Sequence, residues 1–92
     1  MAQTCTVIQA DPNSLALALA ALGKNVSIVE KTSSSGKFIV VSEAPSTGQT
    51  FVVITGDPAK LSLEITNIIG GGHTVDFVAS TFSASHYVVG YV

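Results

Sequence analysis

The sequence predicts an α+β fold: a two-layer sandwich of tandem β-α-β-β repeats, ferredoxin-like in general character, with two helices on one face of a mixed sheet. Three observations carry this expectation. The stretch "TCTVIQADP" (Thr4–Pro12) returns as "TFVVITGDP" (Thr50–Pro58), each rich in β-branched residues and ending in Asp-Pro. Behind each Asp-Pro runs an apolar stripe at helical spacing. Behind each stripe come two short apolar runs divided by small polar residues. At a shift of 46, seven of the 19 positions from Thr4 to Leu22 are identical, and after the helices a shift of 47 sets Gly23 on Gly70. The 92 residues are read as one domain, a length that supports a single modest core. Its pseudo-duplicated halves span about 4–43 and 50–92, joined by the linker "APSTGQ" (Ala44–Gln49).

In order along the chain, the first strand of each half covers Thr4–Ala10 and Thr50–Gly56. Asp11 and Asp57 follow as N-caps, whose carboxylates accept hydrogen bonds from helix amides that have no partner within the helix. Pro12 and Pro58 suit the first helical position, where a missing N–H costs nothing. Leu15, Leu19 and Leu22 mark the first helix face at i, i+4 and i+7, and Leu61, Ile65 and Ile68 mark the second. Gly23 and Gly70 are read as helix ends, because glycine takes the left-handed conformation cheaply. Hairpins Val26–Thr32 with Gly36–Glu43 and His73–Ser80 with Ser85–Val92 complete the halves, turning at "SSSG" and "TFSAS". A right-handed crossover leaves the strands on either side of each helix parallel in one sheet.

Charged residues make up only 11% of the chain, against about 25% in ordinary soluble domains, so little charge remains to cover a monomer's surface. The expectation is a homo-oligomer. Between Leu15 and Leu22 the first helix carries no polar residue, whereas the second has Lys60, Ser62, Glu64, Thr66 and Asn67. A helix apolar all round is expected to be covered all round. Leu17 and Ala18 are therefore assigned to an oligomer interface, together with Tyr87, Val89 and Tyr91 of the last strand, an apolar segment hazardous as a bare edge. The four basic residues are all lysines and the net charge is −2, which disfavours nucleic acid as a partner. "SLALALAAL" (Ser14–Leu22) is far short of the roughly 20 apolar residues that span a bilayer. No basic residue precedes it, and the single cysteine makes no disulfide framework within the chain. No membrane partner is expected, and the chain is read as soluble, intracellular and cytoplasmic.

Candidate chemistry is sparse. "GGGH" (Gly70–His73) follows a helix instead of preceding one, so it lacks the amide-lined N-terminus that cradles phosphate. It reads first as a helix-to-strand turn. Gly70, Gly71, Gly72, His73 and Tyr87 are nonetheless the candidate ligand-binding residues, for a pocket lying between subunits. His73 and Asp76, three apart on a strand, face opposite ways unless a bulge intervenes. Cys5 aligns with Phe51 and is read as an interior packing position. The carboxylates are dispersed, so no metal site, cofactor or catalytic residue is assigned. The leading reading is a non-enzymatic, oligomeric structural or protein-interaction protein. The alternative is a small-molecule-binding module, and an enzyme ranks third. No family is assigned.

Overall fold

The computed structural model describes residues 3–46 and 48–92. Its elements run β1 (Gln3–Gln9), α1 (Pro12–Ala21), β2 (Asn25–Lys31), β3 (Lys37–Glu43), β4 (Thr50–Thr55), α2 (Pro58–Gly70), β5 (Val75–Ser80) and β6 (His86–Tyr91). The order β-α-β-β thus occurs twice. Both helices begin as the Asp-Pro steps predict. The Asp11 carboxylate accepts from Ser14 N–H at 2.8 Å, that of Asp57 from Lys60 N–H at 2.8 Å, and a proline opens each helix. The second helix ends later than expected. Gly70 lies within α2, Gly71 caps it, and Gly72 takes the positive φ of 90° that Gly23 takes (63°) after α1. β5 accordingly starts at Val75, leaving His73 outside the strand.

The strands form two three-stranded antiparallel sheets, β1-β3-β2 and β4-β6-β5, in place of the expected single mixed sheet. The strands flanking each helix are parallel, as a β-α-β crossover requires, but the third strand inserts between them and makes every neighbouring pair antiparallel. The two ladders match in detail at a shift of 49. Val26 pairs with Ser42 and Val75 with Tyr91, and each sheet then has a bulge, at Val26/Ile28 and at Val75/Phe77. The turns match as well. Thr32 Oγ1 donates to Lys37 O at 2.9 Å and Thr81 Oγ1 to His86 O at 2.8 Å. Gly36 has φ 77°, and Ser85 occupies the same position at φ 61°. The shift grows from 46 to 49 because α2 has 13 residues and α1 has 10. The 47-residue offset that set Gly23 on Gly70 is thereby replaced: Gly23 corresponds to Gly72.

The helices do not share one face. α1 packs mainly on β4 and β6 and also on β1, whereas α2 packs on β4 and β5. Leu15 and Leu19 are fully buried in one cluster with Val26, Val29, Phe38 and Val40 of the first sheet and with Ala79 and Val88 of the second. The bulge after Val26 turns Val26 and Val29, three apart, onto that same side. Ile54 and Val89 lie on the opposite face of the second sheet and are buried outside this cluster, on the side of α2. At the closed edge β2 meets β5, and Gln49 fastens the two. Its Oε1 accepts from Val26 N–H at 2.6 Å, and its Nε2 donates to Val26 O at 2.9 Å and to Asp76 Oδ2 at 2.7 Å.

Three outcomes follow for stability. Leu19→Ala should cost about 2–5 kcal/mol in urea unfolding, as a fully buried leucine does, and Leu63→Ala, on the exposed side of α2, should cost far less. Gly90→Ala should destabilise by about 1–3 kcal/mol, because a Cβ there would overlap the Phe77 ring stacked over it. Ser85→Gly should stabilise by about 1 kcal/mol, since it removes a left-handed non-glycine residue from the turn.

Candidate functional site

The glycine turn and Tyr87 occupy opposite ends of the second sheet. Gly71 N–H donates to Asn67 O and Ile68 O, and Gly72 N–H to Ile69 O, so the turn satisfies the carbonyl end of α2. His73 sits exposed beside it, with Nδ1 3.3 Å from Val92 O and its ring edge-on to Tyr91 at 4.9 Å. Asp76 is engaged by Gln49 and makes no pair with His73. Gly70, Gly71, Gly72 and His73 thus come together with Tyr91. Tyr87 does not join them. It pairs with Ile54 and Ser80 at the far end of β6 and lines a cleft of about 220 Å³ with Lys31, Thr81, Ser83 and His86. His86 Nδ1 lies 2.8 Å from Ala84 O, so that nitrogen is committed to the turn.

A larger cleft, of about 480 Å³, opens where both hairpin turns meet the start of α1, between Asp11, Ser35, Gly36, Phe82 and Ser83. Phe82 shapes its wall. It packs edge-on to Phe38 at 5.3 Å, and Lys31 Nζ lies 5.6 Å from its ring centroid. The helix N-terminus here already holds an anion, the Asp11 carboxylate. The Ser14 backbone N–H, helped by the Ser14 side chain, holds that carboxyl below the usual range. No group of three or more His, Cys, Asp or Glu able to hold a metal occurs among the described residues. Among them, too, no helix is long and apolar enough to cross a membrane.

Of the residues assigned to an oligomer interface, Leu17 is exposed, and Ala18, Tyr87 and Tyr91 are half-buried. Val89 is fully buried beneath the α2 side of its own sheet, so it offers no contact to a partner, contrary to expectation. Cys5 is exposed, not interior. Its side of the first sheet also carries Val7, Ile28, Ile39 and the half-buried Val41, an apolar patch bordered by Glu30, Lys37 and Glu43 that neither helix covers. Leu63, Ile69 and Val78 are exposed on the side of α2. A signal for the first of these faces stood in the sequence: "KFIVVS" is apolar on both sides of an alternating strand, which calls for two covers.

No protein-family model, curated protein or solved structure matches the chain.

The Asp11 cap makes a pH-dependent prediction. A carboxyl held low in the folded state stabilises above its unfolded value of about 3.8, and the contribution is lost as pH falls through the folded value. Asp11→Ala should therefore melt below the parent at pH 7, and the gap should narrow as pH falls below about 3.8; thermal melts by circular dichroism across that range check this.

Proposed function

We propose that the protein is a non-enzymatic, self-associating structural or interaction protein, built from two copies of one ferredoxin-like β-α-β-β unit. The observation that carries this reading is exposed apolar surface on separate sides of a charge-poor chain. Leu17 is 72% exposed on α1, Val7 is 63% exposed on the outer sheet face, and Leu63 is 59% exposed on α2. Around Val7 the exposure is contiguous, with Ile28 and Ile39 beside it on one sheet face, and an apolar patch of this kind on a small domain marks a contact surface. Partners of opposite chemistry lack a counterpart, since a net charge of −2 with four lysines forms no basic face for nucleic acid.

A second reading has one observation in its favour. The cleft beside Tyr87 gathers Lys31, His86 and the hydroxyls of Thr81 and Ser83, groups that suit a small polar or anionic ligand. Gly70–His73 lies too far along β6 to share that ligand, so the pocket joining all five residues would need a second subunit.

Native mass spectrometry separates the two. Self-association predicts an integer multiple of 9.4 kDa with no added mass. A constant extra mass lost on Lys31→Ala would favour the ligand reading, and a bare single chain at tens of micromolar would overturn self-association.

A further inference from the structure

Matched positions in the two halves differ in burial according to what lies over them. By the shifts of 46 and 49, Cys5, Val7, Ile28, Ile39 and Val41 correspond to Phe51, Val53, Phe77, Val88 and Gly90. The first set is the apolar centre of the uncovered outer face of the first sheet, which Glu30, Lys37 and Glu43 border at the positions of Ala79, His86 and Val92. The second set is the face of the second sheet turned toward α1 and the first sheet. Ile39 is 40% exposed where Val88 is 0% exposed. On the other faces the imbalance reverses. Val29 is 5% exposed beneath the second sheet, while its counterpart Val78 is 45% exposed. Leu15 and Leu19 are fully buried, while Leu61 and Ile65 are only half-buried. One half lacks the cover that the other supplies, at both ends of the molecule.

We infer that a second copy of this chain docks head to tail, laying the outer face of its first sheet on the β5–α2 side of the first copy. The contact repeats the junction that already joins the two halves. This rests on the self-association proposed above and specifies its surfaces. The clamp has its counterpart too. Gln49 corresponds to Gln3, and Val26 to Val75. Thr74 and Val92 exchange both backbone hydrogen bonds at 2.9 Å, which turns the N–H and C=O of Val75 toward the side of β5 along which no strand pairs. Gln3 of the docked copy therefore meets on Val75 the same pair of groups that Gln49 holds on Val26. Because the two surfaces differ, the contact is heterologous and grows into a ring or a filament instead of stopping at a symmetric dimer.

The test mixes two variants of the full chain, Val7→Glu on one surface and Val78→Glu on the other. A buried unpaired carboxylate should weaken the contact by about 100-fold or more, leaving each variant monomeric in sedimentation velocity. Mixed one to one, they still share one intact junction and should form a heterodimer and nothing larger. Cys5 gives a readout that needs no substitution: its alkylation by a bulky maleimide should slow as wild-type concentration rises. Monomers that stay monomeric on mixing, or Cys5 labelling independent of concentration, would overturn the head-to-tail contact. If Val7→Glu dissociates the assembly and Val78→Glu does not, the contact is symmetric and the inference fails. If only Leu17→Glu dissociates it, self-association stands and this mode falls; a monomeric wild type refutes both.

Discussion

A three-stranded sheet has two faces, and one helix of this length covers only one of them. The fold depends on how Leu15 and Leu19 answer that constraint. They reach the inner faces of both sheets, so α1 supplies one seam that closes two surfaces. Its alanines explain why it can do so. Ala16 and Ala18 flank the leucines and are partly buried, and side chains this small let the helix sit close to β4. Much of the apolar character of α1 is thus spent inside the molecule, with Leu17, Ala20 and Ala21 left at the surface. α2, which meets a single sheet, keeps one half-buried stripe of Leu61, Ile65 and Ile68 and a mixed remainder in which Leu63 and Ile69 stand exposed among polar residues.

What could be read from the sequence was governed by how local its cause was. The Asp-Pro helix starts, the leucine stripes and the polar turns are set by residues within a few positions, and the structure places them as expected. Strand pairing is not local. Nothing in "VSIVEK" states that β2 pairs with β3 and leaves its other edge beside β5, so the sequence points to one mixed sheet where the fold has two antiparallel ones. The facing of Cys5 and Val89 failed for a related reason. β6 is apolar on both sides, and β1 sets Cys5 and Val7 against Thr4, Thr6 and Ile8, so which side is covered depends on an element far away in sequence.

Two further features were hidden by small irregularities. The three residues by which α2 exceeds α1 break the alignment, so the matching hairpins fall out of step unless the shift moves to 49. Restored, it aligns Gly23 with Gly72, Thr32 with Thr81 and Val40 with Val89. Gln49 looked like linker because a glutamine announces no partner. Its amide satisfies a strand residue at a bulge and reaches an acid across the sheet boundary, a role defined wholly by the fold.

The strand orders β1-β3-β2 and β4-β6-β5 also fix a sequence of events during synthesis. In each half the central strand is made last. While a ribosome is still adding residues 81–85, β4 and β5 have been produced with no strand to pair with, and the seat of α1 on β4 and β6 is half built. The first sheet can close earlier, but its inner face must wait for the second to cover it. Emergence of His86–Tyr91 supplies both missing ladders at once. Folding of this chain is therefore expected to come late and abruptly, with stalled or shortened products exposing bare strand edges that quality-control proteases and chaperones recognise.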